Sequence, residues 1–199
     1  MEYIAHRINT VKELKQVPPE FGVEVDLRDH GRRLVLQHDP FKGGEDFSAY
    51  LKHYRHGTLI LNIKSERIEY RVLELVKKYK IKKYFFLDNS FPMINALIKT
   101  KEKNIAVRFS EFESIDTVLA LKGKVNWVWV DCFSKLPINR NNYNNLKKAG
   151  FKLCLVSPEL QAREKGIGTY KKFLLKQRIT FDAICTKLYN IPQWRGYKV

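Results

Sequence analysis

Short apolar runs alternate along this chain with segments in which apolar residues recur at helical spacing. Eight runs have the length of strands, centred near residues 3, 23, 59, 84, 105, 126, 152 and 182. Seven of the gaps carry a helix pattern; residues 66–79, for example, place apolar side chains at positions 68, 72, 75 and 76. Continuous apolar strands that alternate with helices are typical of a parallel sheet covered on both faces.

Eight such units predict a compact (β/α)8 barrel, the TIM-barrel form of the α/β class. An open doubly wound sheet is the alternative, although such a sheet usually has fewer strands. With 199 residues the barrel is at the small end of its size range. Because no low-complexity linker divides the sequence, we expect residues 1–199 to form one domain, with a short β-hairpin after the second strand.

The net charge of +16 is the most unusual feature of the composition. Lysine and arginine are concentrated where predicted helices end and strands begin, in 77–83, 99–103, 122–124, 147–152 and 171–178. Cations in the last turns of helices complement the helix dipoles, and contact of this lysine-rich face with an anionic surface is the alternative. The sequence contains no recognisable nucleic-acid module, so we expect no specific nucleic-acid partner.

Three cysteines, Cys132, Cys154 and Cys185, are far apart and lack the spacing of a metal site. An odd number of thiols argues against a disulfide framework and fits a reducing compartment. The first residues lack the apolar core of a signal peptide, and no apolar run approaches the ~20 residues of a membrane-spanning helix. We therefore expect a cytoplasmic protein that does not cross a membrane.

Residues 22–39 combine a strand with acidic residues and a histidine. Glu24 and Asp26 are two positions apart in the predicted strand, so their side chains share a face. Adjacent carboxylates are costly unless a cation or water lies between them, and oxygen ligands suit Mg²⁺ or Ca²⁺. The second apolar run of the segment ends at His38 and Asp39. The segment is therefore a candidate site for metal-assisted acid–base chemistry.

Polar residues follow nearly every predicted strand, and in a barrel of this type the active site lies at the carboxyl ends of the strands. Those ends carry His6 and Arg7, Glu24 and Asp26, Asn62 and Lys64, Asp88, Arg108 and Glu111, Asp131, and Glu159. One polar residue would only mark the start of a loop, whereas the recurrence indicates a site. We expect Trp127 and Trp129, which share a strand face with Asp131, to belong to the barrel core.

Roughly the first forty residues contain three motifs in a fixed order. They are Ala5-His6-Arg7, Glu24-Val25-Asp26 and His38-Asp39. In this order and at these spacings they resemble the motifs of the glycerophosphodiester phosphodiesterase family, and the strand–helix order extends the resemblance loosely over the whole chain. The resemblance implies a barrel enzyme that cleaves a small phosphodiester, either a glycerophosphodiester or a related lipid or sugar phosphodiester.

The resemblance also implies roles for the matching residues. His6 and His38 would exchange protons as general acid and base, since imidazole titrates near neutral pH without help. Arg7 would hydrogen-bond the phosphate, for which a guanidinium fork is well shaped. Lys64 matches the lysine of a further motif, Glu-x-Lys, on the third strand, and would face the same phosphate.

For the divalent cation, Mg²⁺ or Ca²⁺, the resemblance implies Glu24 and Asp26 as ligands together with the first residue of the Glu-x-Lys motif. This chain has Asn62-Ile63-Lys64 at that position. Asn62 offers only a neutral amide oxygen, so we expect weaker metal binding there. Three carboxylates on later strands are candidates to compensate for it: Asp88, Glu111 and Asp131.

Two functions from different classes follow from these residues. The first is metal-dependent cleavage of a phosphodiester, by hydrolysis or through a cyclic phosphate. The second, which Asn62 favours, is a barrel that binds a phosphorylated ligand without turnover. The sequence leaves open whether the last segment, 191–199, closes over the barrel mouth or docks elsewhere.

Overall fold

Parallel strands form a barrel in the structure, a computed structural model that describes residues 1–197. The strands in that range are β1 (Glu2–Ala5), β2 (Gly22–His30), β3 (Arg33–Leu36), β4 (Glu45–Asp46), β5 (Leu59–Ile63), β6 (Tyr84–Leu87), β7 (Ala106–Phe109), β8 (Trp127–Val130), β9 (Lys152–Val156) and β10 (Ala183–Thr186). Parallel ladders give the order β6-β5-β2-β1-β10-β9-β8-β7. A bridge between Phe86 and Ile105 joins the two ends of this order. The predicted (β/α)8 barrel is confirmed.

A hairpin leaves the barrel after β2, as predicted. The chain turns at Gly31 and Arg32 and returns antiparallel as β3. Gly31 has φ of +60°, which a residue without a side chain adopts readily. Past β3, the Gln37 N–H donates to the Asp26 carbonyl at 2.9 Å. The hairpin therefore returns the chain, just before His38, to the carboxyl end of β2.

Helices cover the outside of the strands. In residues 1–197 they are α1 (Val11–Leu14), α2 (Phe47–His53), α3 (Glu69–Lys78), α4 (Phe91–Lys99), α5 (Ile115–Leu119), α6 (Arg140–Lys148), α7 (Gly166–Lys176) and α8 (Ile191–Trp194). Side-chain caps fix several starts: Thr10 and Glu13 form a complete capping box at α1, and Asp46 accepts the Ala49 N–H at α2. Two short 3₁₀ helices, Pro158–Gln161 and Leu188–Asn190, complete the pattern.

Two apolar clusters hold the layers together. Val23, Val25 and Leu27 belong to the cluster between strands and helices. Because side chains alternate along a strand, the intervening Glu24 and Asp26 face the barrel interior. The interior cluster consists of Ile4, Ile60, Phe85, Leu87, Ala106, Trp127, Trp129, Cys132, Cys154, Val156, Ala183 and Cys185. The prediction that both tryptophans belong to the core is confirmed.

The C-terminal segment packs on the barrel wall. Trp194 is fully buried, and its carbonyl accepts a hydrogen bond of 2.9 Å from the Tyr3 hydroxyl on β1. The Tyr197 hydroxyl donates to the carbonyl of Ile179, beyond the end of α7. Residues 198–199 of this segment lie outside the described residues. Of the two alternatives for the tail, the structure shows docking on the wall, up to Tyr197.

The lysine-rich positions fall at the amino ends of the strands, as the barrel predicts. Lys82 and Lys83 precede β6, and Lys124 precedes β8. Across residues 1–197 no helix combines the length and the apolar character needed to cross a bilayer. Contact of the lysine-rich face with an anionic surface and a cytoplasmic location stay predictions.

Candidate active site

Glu24 and Asp26 form a buried carboxylate pair inside the barrel, with side chains 1% exposed. The Arg7 N–H donates to Glu24 Oε2 at 2.7 Å, and Asn62 Nδ2 donates to Oε1 at 2.7 Å. Asp26 Oδ2 accepts from Asn9 Nδ2 at 2.9 Å. Burial, followed by the charge of Asp26, raises the pKa of Glu24 to about 7. Glu24 is therefore only partly ionised at neutral pH, and neighbouring cations offset the charge that the pair retains.

His6 and Arg7 follow β1 and turn toward this pair. Arg7 has φ of +57°, a left-handed conformation that is uncommon outside glycine. Its Nε lies 3.4 Å from Asp26 Oδ2, while its N–H binds Glu24. His6 Nε2 lies 3.8 Å from Glu24 Oε2. Arg7 thus contributes its backbone to one carboxylate and its guanidinium to the other.

Lys187, directly after β10, contacts the opposite side of the His6 ring. Its Nζ lies 3.1 Å from His6 Nδ1. Because an ammonium group can only donate, Nδ1 accepts, and the neutral ring carries its proton on Nε2. Burial, followed by the charges of Lys187 and Arg7, lowers the pKa of His6 to about 3. His6 is therefore neutral at pH 7 without a ligand.

His38 reaches the site on the loop after β3, which Arg28 holds in place. Arg28 Nε and Nη2 donate to the His38 carbonyl at 3.0 and 2.9 Å, and Nη1 donates to the Lys64 carbonyl at 2.9 Å. His38 Nδ1 lies 2.9 Å from Asp39 Oδ1. With the carboxylate as acceptor, Nδ1 carries the proton and Nε2 remains an acceptor. Because Arg28 links the His38 and Lys64 carbonyls, and the Gln37 N–H binds the Asp26 carbonyl, His38 lies at the same end of the barrel as the carboxylate pair.

Lys64 and Arg108 extend the ring of charges around the strand ends. Lys64 Nζ lies 3.7 Å from Asp26 Oδ1 and 3.1 Å from Asp88 Oδ2. Arg108, on β7, forms ion pairs with both Asp88 and Asp131. Cations and carboxylates therefore alternate from β1 round to β8, and guanidinium and ammonium groups are the side chains that bind phosphate oxygens.

Asn62 is the decisive residue for a metal. Its Oδ1 is buried and has no hydrogen-bond partner within the described residues. Asn62 pairs with Asp26 in the β2–β5 register, so this oxygen lies beside the carboxylate pair. An orphaned oxygen next to two buried carboxylates suits a hard cation that keeps several waters. Glu24, Asp26 and Asn62 therefore fit Mg²⁺ or Ca²⁺.

A third carboxylate does not join this set. Across residues 1–197 no three His, Cys, Asp or Glu side chains are grouped so that they would hold a metal ion. The candidates to compensate for Asn62 have other partners: Asp88 and Asp131 pair with Arg108, and Glu111 accepts from the Ser134 hydroxyl. The expectation that one of them replaces the missing ligand finds no support in these contacts.

The structure brings all the predicted site residues to one end of the barrel: His6, Arg7, Glu24, Asp26, His38, Asn62 and Lys64. Sequence reasoning missed Lys187 and Asn9. Lys187 directly follows a strand, so the rule that selected Lys64 would also have selected it. Asn9 holds Asp26 from two directions, since its Oδ1 also accepts the Asp26 N–H at 2.8 Å, and no motif marks it.

Five exposed aromatic residues surround this end of the barrel in the described part of the chain. These mouth aromatics are Phe41, Phe91, Phe112, Phe133 and Tyr189, which are between 40% and 100% exposed. The ring centroids of Phe112 and Phe133 are 6.0 Å apart, and the Arg108 guanidinium lies 5.4 Å from the Phe133 ring. Phe91 lines a cleft of about 320 Å³ together with Asp88 and Arg108. Apolar rings therefore border the charged site.

Three solved structures share this architecture. An Agrobacterium tumefaciens protein assigned as a glycerophosphoryl diester phosphodiesterase matches with a TM-score of 0.70 and 11% identity, over 98% of this chain and 97% of that one. A glycerophosphodiester phosphodiesterase from the same organism matches with a TM-score of 0.66 and 14% identity, over 94% and 96% of the two chains. The chain has the glycerophosphodiester phosphodiesterase fold.

A third phosphodiesterase of this fold, from Parabacteroides distasonis, matches with a TM-score of 0.63 and 12% identity, over 96% of this chain and 85% of that one. The three structures confirm, at the level of the fold, the resemblance that the sequence motifs indicated. No protein-family model and no curated protein matches the sequence. At such identities the phosphodiesterase fold is established, and the activity has to be argued from the side chains.

Proposed function

We propose that this protein cleaves a small phosphodiester, a glycerophosphodiester or a related lipid or sugar phosphodiester, at the carboxyl end of its barrel. The observation that carries the proposal is a buried carboxylate pair contacted by His6, Arg7 and Lys64, with His38 held at the same end of the barrel by Arg28. Cations bind phosphate oxygens, and two imidazoles supply both proton transfers that cleavage of a P–O bond needs.

The hydrogen bonds favour different roles for the two histidines. His38 has its unprotonated Nε2 available, so it takes the proton from the attacking hydroxyl. The imidazolium form of His6 gives its Nε2 proton to the leaving oxygen and returns to the neutral ring. A bound phosphodiester carries negative charge among Arg7, Lys64 and Lys187. That charge offsets the cations and raises the pKa of His6 toward the working pH.

The metal belongs to the same proposal. Glu24, Asp26 and Asn62 would hold a divalent cation, and such a cation would neutralise phosphate oxygens when bound. Cationic side chains of the protein also neutralise these carboxylates. Arg7 and Lys64, at 3.4 and 3.7 Å from Asp26, compete with a metal ion for the charge of this carboxylate. Metal affinity is therefore expected to be modest.

Binding without turnover is the second candidate function. Two observations favour it: the neutral amide of Asn62 at the third ligand position, and the low pKa of His6. A panel of glycerophosphodiesters and lysophospholipids, assayed with Mg²⁺, Ca²⁺ or a chelator, separates the candidates. Release of a phosphomonoester or a cyclic phosphate supports the first. Tight binding of phosphate esters without any product supports the second.

Replacing Asn62 by glutamate is expected to raise Mg²⁺ affinity about tenfold or more, because a charged oxygen replaces a neutral one beside Glu24 and Asp26. Calorimetric titration of Mg²⁺ into both proteins measures the change. Asn62→Leu, which removes the oxygen and keeps a similar volume, should bind Mg²⁺ more weakly than the wild type. Equal affinity in all three proteins would place the metal elsewhere. No measurable Mg²⁺ binding to any of them would show that the site holds no metal.

The mouth aromatics favour a substrate with an acyl chain within this proposal. Full burial of one Phe ring contributes about 2 kcal/mol, so partial insertion of two rings into a lipid surface is worth roughly tenfold in binding. The double variant Phe41→Ser/Phe112→Ser is expected to lose about that factor on lysophospholipid in phosphatidylcholine vesicles, and to keep its rate on soluble glycerophosphocholine. Phe173→Ser, exposed on α7, is the control; equal losses from both proteins would argue against the lipid.

A further inference from the structure

A basic cleft lies at the opposite end of the barrel from the active site. It has a volume of about 780 Å³. It lies between the C-terminal end of α2 with the loop that follows and the C-terminal end of α3 with its following loop. Leu51, Tyr54 and Tyr79 are among its apolar and aromatic lining residues. The cations that line it, all exposed, are Lys52, Arg55, Lys78, Lys80, Lys82 and Lys83.

No carboxylate lines the cleft, and none of its six cations forms an ion pair within residues 1–197. An adjoining cleft that shares Lys82 and Lys83 is lined by two acidic residues, Glu2 and Asp182. Asp182 forms an ion pair with Lys147, and Glu2 comes close to Gly57. Both oxygens of Glu2 are already bound, one to the Thr58 N–H at 2.6 Å and the other to the Thr58 hydroxyl at 2.7 Å. The charged side chains that line the 780 Å³ cleft itself are therefore all cationic.

Helix dipoles do not account for this charge. Each helix C-terminus carries about half a negative charge, so the ends of α2 and α3 together offset about one cation. Lys52 and Lys78 lie in those last turns. Arg55, Lys80 and the pair 82–83 lie beyond the helices, so most of the positive charge remains without a partner.

We propose that this cleft binds a compact polyanion that carries two or more phosphate groups. Its volume is in the range of small-ligand sites, about 300–1,000 Å³, and six cations line this one open cleft. Several phosphates on one small molecule would satisfy several lysines at once, whereas one phosphate would leave most of them unpaired. The site is distinct from the catalytic end and does not depend on the proposed activity.

The test is calorimetric titration of tripolyphosphate, with orthophosphate for comparison, into the full chain at physiological ionic strength. The double variant Lys80→Glu/Lys82→Glu is expected to weaken tripolyphosphate binding by about tenfold or more. Lys122→Glu/Lys124→Glu makes the same change in net charge at the same end of the barrel, outside the cleft, and should change the dissociation constant less than about threefold.

If both double variants bound tripolyphosphate equally weakly, the loss would come from the change in net charge and not from the cleft. That result would overturn the proposal. The same holds if Lys80→Glu/Lys82→Glu binds like the wild type, since tripolyphosphate would then occupy the catalytic end. No binding of tripolyphosphate to the wild type, or binding only of duplex DNA or anionic vesicles, would also contradict it. Circular dichroism of both variants should match the wild type, because all four lysines are exposed.

Discussion

Replacing His6 by alanine should lower kcat/KM for the phosphodiester by roughly 10²–10⁴-fold, the usual contribution of a general acid or base. The His6 ring is fixed between Lys187, 3.1 Å from Nδ1, and Glu24, 3.8 Å from Nε2. The alanine variant removes the imidazole that would return a proton to the leaving oxygen. The loss should therefore appear in kcat rather than in KM.

Replacing His38 by alanine should cause a loss of similar size. The two losses should not add in the double variant, because the histidines act in one reaction. His53→Ala, an exposed histidine on α2, is the matched control and should retain the wild-type rate. Steady-state assays across pH measure all four proteins. If turnover persisted in both single variants, the proton-transfer roles would be wrong and binding without turnover would gain support.

Periodicity and strand-end position were enough to predict the barrel and the neighbourhood of the site. Glu24 and Asp26 were predicted to share a face, and alternation along β2 does direct both into the interior. The residues that contact them come from separate strands. Their meeting follows from the parallel order of the barrel, in which β5 pairs with β2 and β10 with β1.

The contacts that set the chemistry of the site could not be read from the sequence. Lys187 and His6 are 181 positions apart, and whether an ammonium group reaches one ring nitrogen depends on side-chain geometry. The same is true of Asn62, whose residue type was known but whose orphaned oxygen depends on where its amide points. Periodicity specifies faces and strand ends, whereas hydrogen bonds depend on distances of a few tenths of an ångström.

The C-terminal segment is a further contact that no sequence pattern predicts. Its aromatic residues Trp194 and Tyr197 bind groups that are distant in the sequence. Trp194 Nε1 donates to the Ser157 hydroxyl at 2.8 Å, and that hydroxyl donates to Glu159. Glu159 also accepts the Lys187 N–H at 3.1 Å. A chain of hydrogen bonds therefore runs from the tail to the residue that holds His6.

Replacing Trp194 by alanine is expected to lower the free energy of unfolding by about 3–5 kcal/mol, since it empties a fully buried site and removes the donor to Ser157. The melting temperature should fall by roughly 10 °C for a chain of this size. Urea and thermal unfolding followed by circular dichroism measure both.

Trp194→Phe refills most of the volume without the N–H group, and should cost less than half as much. If alanine and phenylalanine cost the same, the hydrogen bond would outweigh the packing. If neither destabilised the protein, the tail would not be docked. Because Lys187 depends on Glu159, the phenylalanine variant should also lose some activity while it stays folded. A stable, fully active Trp194→Phe protein would show that the tail supports the fold without positioning His6.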